Sequence, residues 1–156
     1  MKKILLIIMI VLGITSMAYG DTVNKIEKES KITYTNNKLH IKWDIPKNIY
    51  EKIEFEVEDD SININYVPKN KKIKKESVLF IWHTNQKEWE EVKDGNPCYK
   101  IYDKGDDRYT VTVGSIGENP YYGNQKYADE YDYICNELEK IIKDIKIKGV
   151  PVVIKE

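Results

Sequence analysis

His83 is the side chain of this sequence best placed to act as a base near neutral pH, because only imidazole titrates there without perturbation. It follows Trp82 and, by strand alternation, shares a face with Leu79 and Ile81. Two roles are open for it, the general base of a small hydrolase and a structural residue at the end of a core strand. The structural role is favoured, because the sequence implies no partner within hydrogen-bonding distance.

Other catalytic arrangements are weaker. His40 lies between Leu39 and Ile41 and is predicted to be an exposed strand residue. The acid pairs Glu90-Glu91 and Asp106-Asp107 are adjacent in sequence, so their carboxylates point apart and do not converge on a sugar as in a glycosidase. The acidic turn around Asp106 lacks the alternating oxygen ligands of a calcium loop. We therefore predict no catalytic residue, metal or cofactor.

The two cysteines, Cys98 and Cys135, have two open interpretations. In an exported protein a disulfide between them persists, and closing that loop would stabilise the fold by roughly 3–4 kcal/mol. The alternative is two unpaired, partly buried thiols. A metal site is disfavoured, since two cysteines without neighbouring histidines supply too few ligands.

Tyrosines crowd the C-terminal half of the chain, and three of them fall in a loop or off the apolar helix stripe. These three are Tyr121, Tyr122 and Tyr133. Tyrosine gives flat contact area and a hydroxyl at low entropic cost, so they are candidates for an exposed recognition patch for protein or glycan, beside Trp82 and His83. The plainer alternative is that they are ordinary half-buried aromatics.

Residues 1–20 have the order of a secretory signal peptide. Lys2 and Lys3 precede the apolar run Ile4–Leu12, and small residues lead to a predicted cut between Gly20 and Asp21. The alternative is a membrane anchor, but a span needs about 20 apolar residues and this run is shorter. The sequence therefore predicts a secreted or cell-envelope protein with no transmembrane segment after cleavage.

Charge and length narrow the function classes further. The net charge is −1, and losing the two leader lysines makes it −3, so no basic excess points to a nucleic-acid binder. A local basic run over residues 69–75 is predicted to be a solvated loop, with contact to an anionic polymer or lipid headgroups as the alternative. After a polar lead-in at 21–30, residues 31–156 are predicted to form a single α+β domain.

Alternating apolar residues predict three hairpins, followed at the end by a helix. The hairpins cover residues 32–43 about Asn36-Asn37, 53–66, and 99–113, and the strand Ser77–Thr84, apolar on both faces, is predicted to be central and covered on each side. Gln86–Val92 is predicted to be a short helix ended by residues 95–97.

An apolar stripe at helical spacing predicts a long amphipathic helix over residues 127–145. Lys146–Glu156 is predicted to be extended and to add an edge strand. The fold class is thus α+β, with one antiparallel sheet of about six or seven strands covered by the long helix and a short one.

This order of elements resembles a group of small exported bacterial proteins of unknown function, whose layout is similar to the PsbP-like fold. The likeness covers most of residues 31–147 and rests on packing and turn residues. They are Trp43-Asp44-Ile45-Pro46, Tyr66-Val67-Pro68, Leu79-Phe80-Ile81-Trp82, Lys87-Glu88-Trp89, Asn119-Pro120-Tyr121 and Ile141-Ile142-Lys143-Asp144-Ile145. The resemblance implies an antiparallel sheet between helices and carries over no active site.

Three functions remain as hypotheses. The first is an exported, non-catalytic binding or interaction domain with a protein or envelope component as partner. The second is an extracytoplasmic hydrolase that uses His83. The third is a secreted enzyme inhibitor that presents the turn-rich loop Gly114–Gly123.

Overall fold

The computed structural model describes residues 31–94, 98–114 and 118–154. The predicted leader at 1–20, the lead-in at 21–30 and the helix stop at 95–97 lie outside the described residues. The chain begins with strands β1 Lys31–Asn36 and β2 Ile41–Pro46 and the short helix α1 Lys47–Tyr50. Strands β3 Ile53–Val57, β4 Ser61–Tyr66 and β5 Glu76–Thr84 follow, and then helix α2 Gln86–Val92 and strands β6 Tyr99–Lys104 and β7 Asp107–Val113. The last elements are helix α3 Gln125–Ile141, which ends in a 3₁₀ turn at Ile142–Asp144, and strands β8 Lys146–Ile147 and β9 Val150–Pro151.

The strands form two antiparallel sheets. The first sheet has four strands in the order β1-β2-β8-β9, and the second has five in the order β3-β4-β5-β7-β6. The α+β class is confirmed, but the predicted single sheet of six or seven strands is wrong. Alternation shows which side chains are buried and not which strands pair. Helix α1 directly follows Pro46, where the chain leaves one sheet before β3 begins the other.

The first sheet combines a local hairpin of β1 and β2 with a long-range pairing of β2 and β8. Tyr34 of β1 lies opposite Trp43 of β2, and β8 then adds to the other side of β2, with Lys42 opposite Lys146. The prediction of an extended C-terminal segment that adds an edge strand is only partly right, because the described residues form two two-residue strands joined by a turn at 148–149, and only β9 lies at the edge. Along β2 the burial alternates, so Trp43 faces the core while Lys42 faces outward.

The second sheet has the predicted central strand at its centre. Strand β5 lies between β4 and β7. The expected cover on both faces is only partly right, since the ring of Phe80 is 36% exposed on the outer face. On the inner face Leu79 and Ile81 are fully buried. Helix α2 begins with a capping box in which Asn85 and Glu88 satisfy each other's backbone N–H groups.

The first turn differs from its prediction. His40 is exposed, as expected, but it lies in the turn between β1 and β2 rather than in a strand, and its φ of 53° is left-handed. The buried Asn36 side chain closes this turn, because its oxygen accepts a hydrogen bond from the Leu39 N–H at 2.8 Å. This side-chain hydrogen bond stabilises a longer turn, which forms here instead of the predicted two-residue hairpin turn.

The core lies between the two sheets and helix α3. The helix buries Tyr131, Ile134 and Leu138, as the stripe predicts. Trp43 Nε1–H donates to the Ile141 carbonyl at 2.9 Å, and the ring of Tyr34 stacks on Phe55 at 4.0 Å, which joins the sheets. In the described part of the chain, no helix is both long and apolar enough to cross a bilayer.

Candidate functional site

His83 has a carboxylate partner that the sequence did not imply. Near the end of β5, its Nε2 lies 3.0 Å from Oδ1 of Asp107, the first residue of β7. Lys148, in the turn between β8 and β9, binds the other oxygen of the same carboxylate. The side chains are about one-third exposed, at 36% for His83 and 30% for Asp107. We call Lys148, Asp107 and His83 the histidine cluster.

Tyr109 holds the histidine cluster in place. The His83 ring stacks on Tyr109 with centroids 4.5 Å apart, and the Tyr109 hydroxyl donates to the Leu39 carbonyl at 2.9 Å. Burial, with the charge of Asp107, raises the pKa of Tyr109 to about 12. Burial alone would raise the pKa of Asp107, but hydrogen bonds from Lys148 and His83 outweigh it and lower that pKa. Asp107 therefore stays ionised and fully engaged near neutral pH.

Both histidines lie at the same end of the molecule. The Lys148 N–H donates to the His40 carbonyl at 2.9 Å, and the His83 N–H donates to the Asp60 carbonyl at 2.7 Å. Trp82 is half-buried there, and its Nε1 lies 3.4 Å from an Asp60 oxygen. These contacts join turns that are far apart in sequence, so no local pattern could have predicted them.

A histidine beside a carboxylate resembles part of a catalytic triad, in which the acid orients the imidazole. Here the second oxygen of Asp107 is bound by Lys148, and the ring of His83 is stacked on Tyr109. His83 does not line the depressions found on the outer face of the four-stranded sheet or beside β6. This geometry suits a structural pair at least as well as a base.

The predicted tyrosine patch does not form as expected. The structure buries Tyr121 to 6% exposure and its hydroxyl donates to the Lys74 carbonyl at 2.7 Å, so the expected exposure of this residue is wrong. Tyr122 is 88% exposed in the loop before α3, and Tyr133 is 45% exposed on α3. The Tyr133 hydroxyl accepts from the Asn48 amide at 3.3 Å. Periodicity could not have placed Tyr121, because it precedes the helix.

Part of the loop predicted to present an inhibitor is tied to helix α3. Residues 115–117 lie outside the described residues. Asn119 donates through its amide to the Ala128 carbonyl at 3.1 Å and to Asp132 at 2.8 Å. The following Pro120 is exposed. The described end of the loop is therefore anchored rather than projecting freely.

Both cysteines are free thiols in the structure. Cys135 lies near the Val78 carbonyl, with a sulfur to oxygen distance of 3.9 Å. Burial raises the pKa of its thiol to about 11 and also raises the pKa of the Cys98 thiol. Neither thiol has the low pKa of a cysteine nucleophile. Of the two interpretations of these residues, the structure contains the unpaired one.

A concave surface away from the histidine cluster lies on the outer face of the four-stranded sheet. Two adjoining depressions of 290 Å³ and 380 Å³ share most of their lining. A smaller one of 150 Å³ lies between β6 and the C-terminal segment. We call the two larger depressions the lysine groove; the polar side chains that line it are Lys31, Thr33, Lys42, Asp44, Lys143, Asp144 and Lys146.

The charges of the lysine groove are only partly matched. Asp44 accepts a hydrogen bond from the Thr33 hydroxyl at 2.5 Å, and Asp144 lies 3.7 Å from the Lys31 ammonium. Lys42 and Lys146 are exposed and directly opposite each other across β2 and β8. Neither makes an ion pair within the residues that the structure describes. Like charges in this position destabilise a sheet.

Sequence reasoning missed the lysine groove. Lys42 and Lys146 belong to strands that are distant in sequence, and the predicted edge strand had no assigned neighbour. The one available signal was that both alternate with buried isoleucines, Ile41 and Ile147, and so face outward. Within the described ranges, no group of three or more His, Cys, Asp or Glu side chains could hold a metal ion.

Comparison with known proteins adds no relative. No protein-family model, no curated protein and no solved structure matches the chain. The PsbP-like layout therefore stays a prediction, and functional inference rests on the side chains described above.

Proposed function

We propose that the protein is a non-catalytic binding domain that acts outside the cytoplasm, and that the lysine groove is its contact surface for an envelope component or partner protein. The observation that carries this proposal is the groove itself, a concave polar surface in which Lys42 and Lys146 face each other and neither has a counter-ion among the described residues. The leader pattern at residues 1–20 supports the compartment.

The chemistry of the groove favours binding over catalysis. Its described lining offers ammonium, hydroxyl and carboxylate groups and includes neither histidine nor cysteine. It is built on a paired sheet, and beneath it Trp43 is anchored to the Ile141 carbonyl. A rigid base of this kind limits the conformational entropy that binding costs.

A steric block tests this surface without changing its charge. In Thr33→Trp an indole would fill the groove, whereas the matched control Thr112→Trp places the same side chain on the outer face of the five-stranded sheet. We expect Thr33→Trp to lose binding to envelope fractions of the producing cell while the control retains it, as measured by co-sedimentation of the purified protein. If only the control Thr112→Trp lost binding, the contact surface would lie on the five-stranded sheet, and the proposal would be contradicted.

A hydrolase is the second candidate, and one observation favours it. The 3.0 Å contact between His83 and Asp107 could orient the imidazole as a base. If the protein hydrolyses an envelope substrate, His83→Ala should abolish turnover with the fold intact, while Thr33→Trp should leave turnover unchanged. That pair of results would replace binding by catalysis as the function.

A further inference from the structure

We infer that the lysine groove binds a phosphate group, held between the ammonium groups of Lys42 and Lys146. This inference rests on the proposed function, because it names the ligand chemistry of the same surface.

The two lysines form a like-charge pair that adds no ion pair to the described part of the fold. They are opposite each other in the register of β2 and β8, where side chains project to the same side about 5 Å apart at Cβ. Both are exposed, and neither has a carboxylate partner among the described residues. Their repulsion disfavours the sheet, whereas an anion between them would turn that repulsion into two attractive contacts.

The acids of the groove leave this positive centre in place. Asp44 is bound by the Thr33 hydroxyl, and Asp144 lies beside Lys31. Lys143 lines the same depression and adds a further positive charge. Four lysines therefore face two acids, and the excess charge is local. The acids would repel a long polyanion, so a ligand with one compact anionic group fits this surface best.

Phosphate matches this donor set better than carboxylate. Each ammonium has three donors around a point charge, which suits a tetrahedral anion with several acceptor oxygens. Planar carboxylates are typically matched by the fork of arginine, and the described lining includes none. The 290 Å³ depression has room for a phosphate together with the group that it esterifies. A soluble phosphomonoester and a lipid headgroup share this chemistry.

The basic run at residues 69–75 is the rival anion site, and the structure weakens it. Lys75 pairs with Glu54 and Glu56, and Lys74 pairs with Glu76. Lys71 and Lys72 are exposed. They therefore provide a matched control, because replacing them removes two positive charges at a distance from the groove.

The test is an NMR titration of the purified protein with inorganic phosphate, against chloride at equal ionic strength. We expect saturable shifts in the backbone amides of β2 and β8. The double variant Lys42→Thr/Lys146→Thr should bind about tenfold more weakly or worse, while Lys71→Thr/Lys72→Thr should bind like the wild type. Threonine suits a strand, and circular dichroism checks that each variant is folded. Absent or unsaturable shifts, or equal weakening in both variants, would overturn the inference.

Vesicles identify the source of the phosphate. Vesicles containing phosphatidylglycerol are compared with pure phosphatidylcholine, and glycerol 3-phosphate serves as the soluble probe. Binding to the anionic vesicles that the groove variant loses indicates a headgroup, and binding to glycerol 3-phosphate alone indicates a soluble ligand. If neither binds, the inference is wrong. If Thr33→Trp loses the envelope partner but Lys42→Thr/Lys146→Thr keeps it, the groove is the contact surface and only the phosphate assignment fails.

Discussion

The hairpin of β6 and β7 and the lysine groove arrange their charges in opposite ways. In the hairpin, Asp103 pairs with Arg108, and Asp107 pairs with both His83 and Lys148. In the groove, Lys42 and Lys146 lie opposite each other, and neither forms an ion pair in the part of the chain that the structure describes. Charges that stabilise a fold are matched within it, and unmatched like charges cost stability. The hairpin charges are thus paired within the fold, and this contrast is the basis of our proposal that the groove charges serve a ligand.

The largest effect should come from Asp103→Ala. The Arg108 side chain is 5% exposed, and its Nη2 donates to Asp103 at 3.0 Å and to Gln86 at 2.7 Å. Its other two nitrogens have no partner in the described residues. Losing the carboxylate would leave a buried cation poorly compensated, so we expect a loss of about 3 kcal/mol in the free energy of unfolding by urea.

The control for this prediction is Gln86→Ala, which removes the neutral acceptor of Arg108 together with an exposed hydrogen bond from the Gln86 amide to Glu90. It should cost about 1 kcal/mol. Equal losses of stability in Asp103→Ala and Gln86→Ala would show that the ion pair between Asp103 and Arg108 adds little to the fold. The contrast between the β6–β7 hairpin and the lysine groove would then weaken.

A smaller effect is expected from Asp107→Asn, with a defined pH dependence. The pKa of Asp107 is lowered in the folded protein because hydrogen bonds from Lys148 and His83 outweigh burial. Its contribution is therefore present above the unfolded pKa of about 4 and is lost as pH falls through the lower folded value. We expect Asp107→Asn to cost about 1 kcal/mol at pH 7 and to lie closer to the wild type at a pH below that unfolded value. A constant difference at both pH values would contradict this.

In the lysine groove, reversing one charge should raise the free energy of unfolding rather than lower it. Lys42→Glu places an acid opposite Lys146 and replaces repulsion by attraction across β2 and β8. We expect this variant to gain a few tenths of a kcal/mol, and at most about 1 kcal/mol, in unfolding experiments at low salt. Phosphate binding should be lost at the same time. The gain should shrink at high salt, since exposed charges are screened.

The smallest effect is expected where a matched pair is fully exposed. Lys38 binds Asp59, whose side chain is 99% exposed. Pairs of this kind contribute little because water screens them and ordering two side chains has an entropic cost. Lys38→Ala should leave the unfolding curve unchanged within error. A clear loss of stability would mean that a fully exposed ion pair supports the fold, so that exposure does not distinguish structural charges from other surface charges.

Local patterns predicted the elements of this fold better than their partners. The bounds of α2 and the central position of β5 follow from residue type and alternation. The split into two sheets does not, because it depends on a turn of helix after Pro46 that has no strong sequence signature. The carboxylate beside His83 and the burial of Tyr121 likewise depend on tertiary contacts.

The candidate site was predictable only in part. Alternation with Ile41 and Ile147 turns Lys42 and Lys146 outward, which the sequence implies. Their position opposite each other follows only from the pairing of β2 with β8, across about a hundred residues of chain. A groove that is assembled from strands so distant in sequence has no linear motif.

The most direct test of the account compares the free energy of unfolding of Lys42→Thr/Lys146→Thr with that of the wild type, in chloride and in phosphate at equal ionic strength. In chloride, we predict that the variant is at least as stable as the wild type. In phosphate, we predict that only the wild type gains stability, since a ligand stabilises the state that binds it. A variant that is clearly less stable in chloride, or that gains as much from phosphate as the wild type, would show that the two lysines serve the fold and not a ligand.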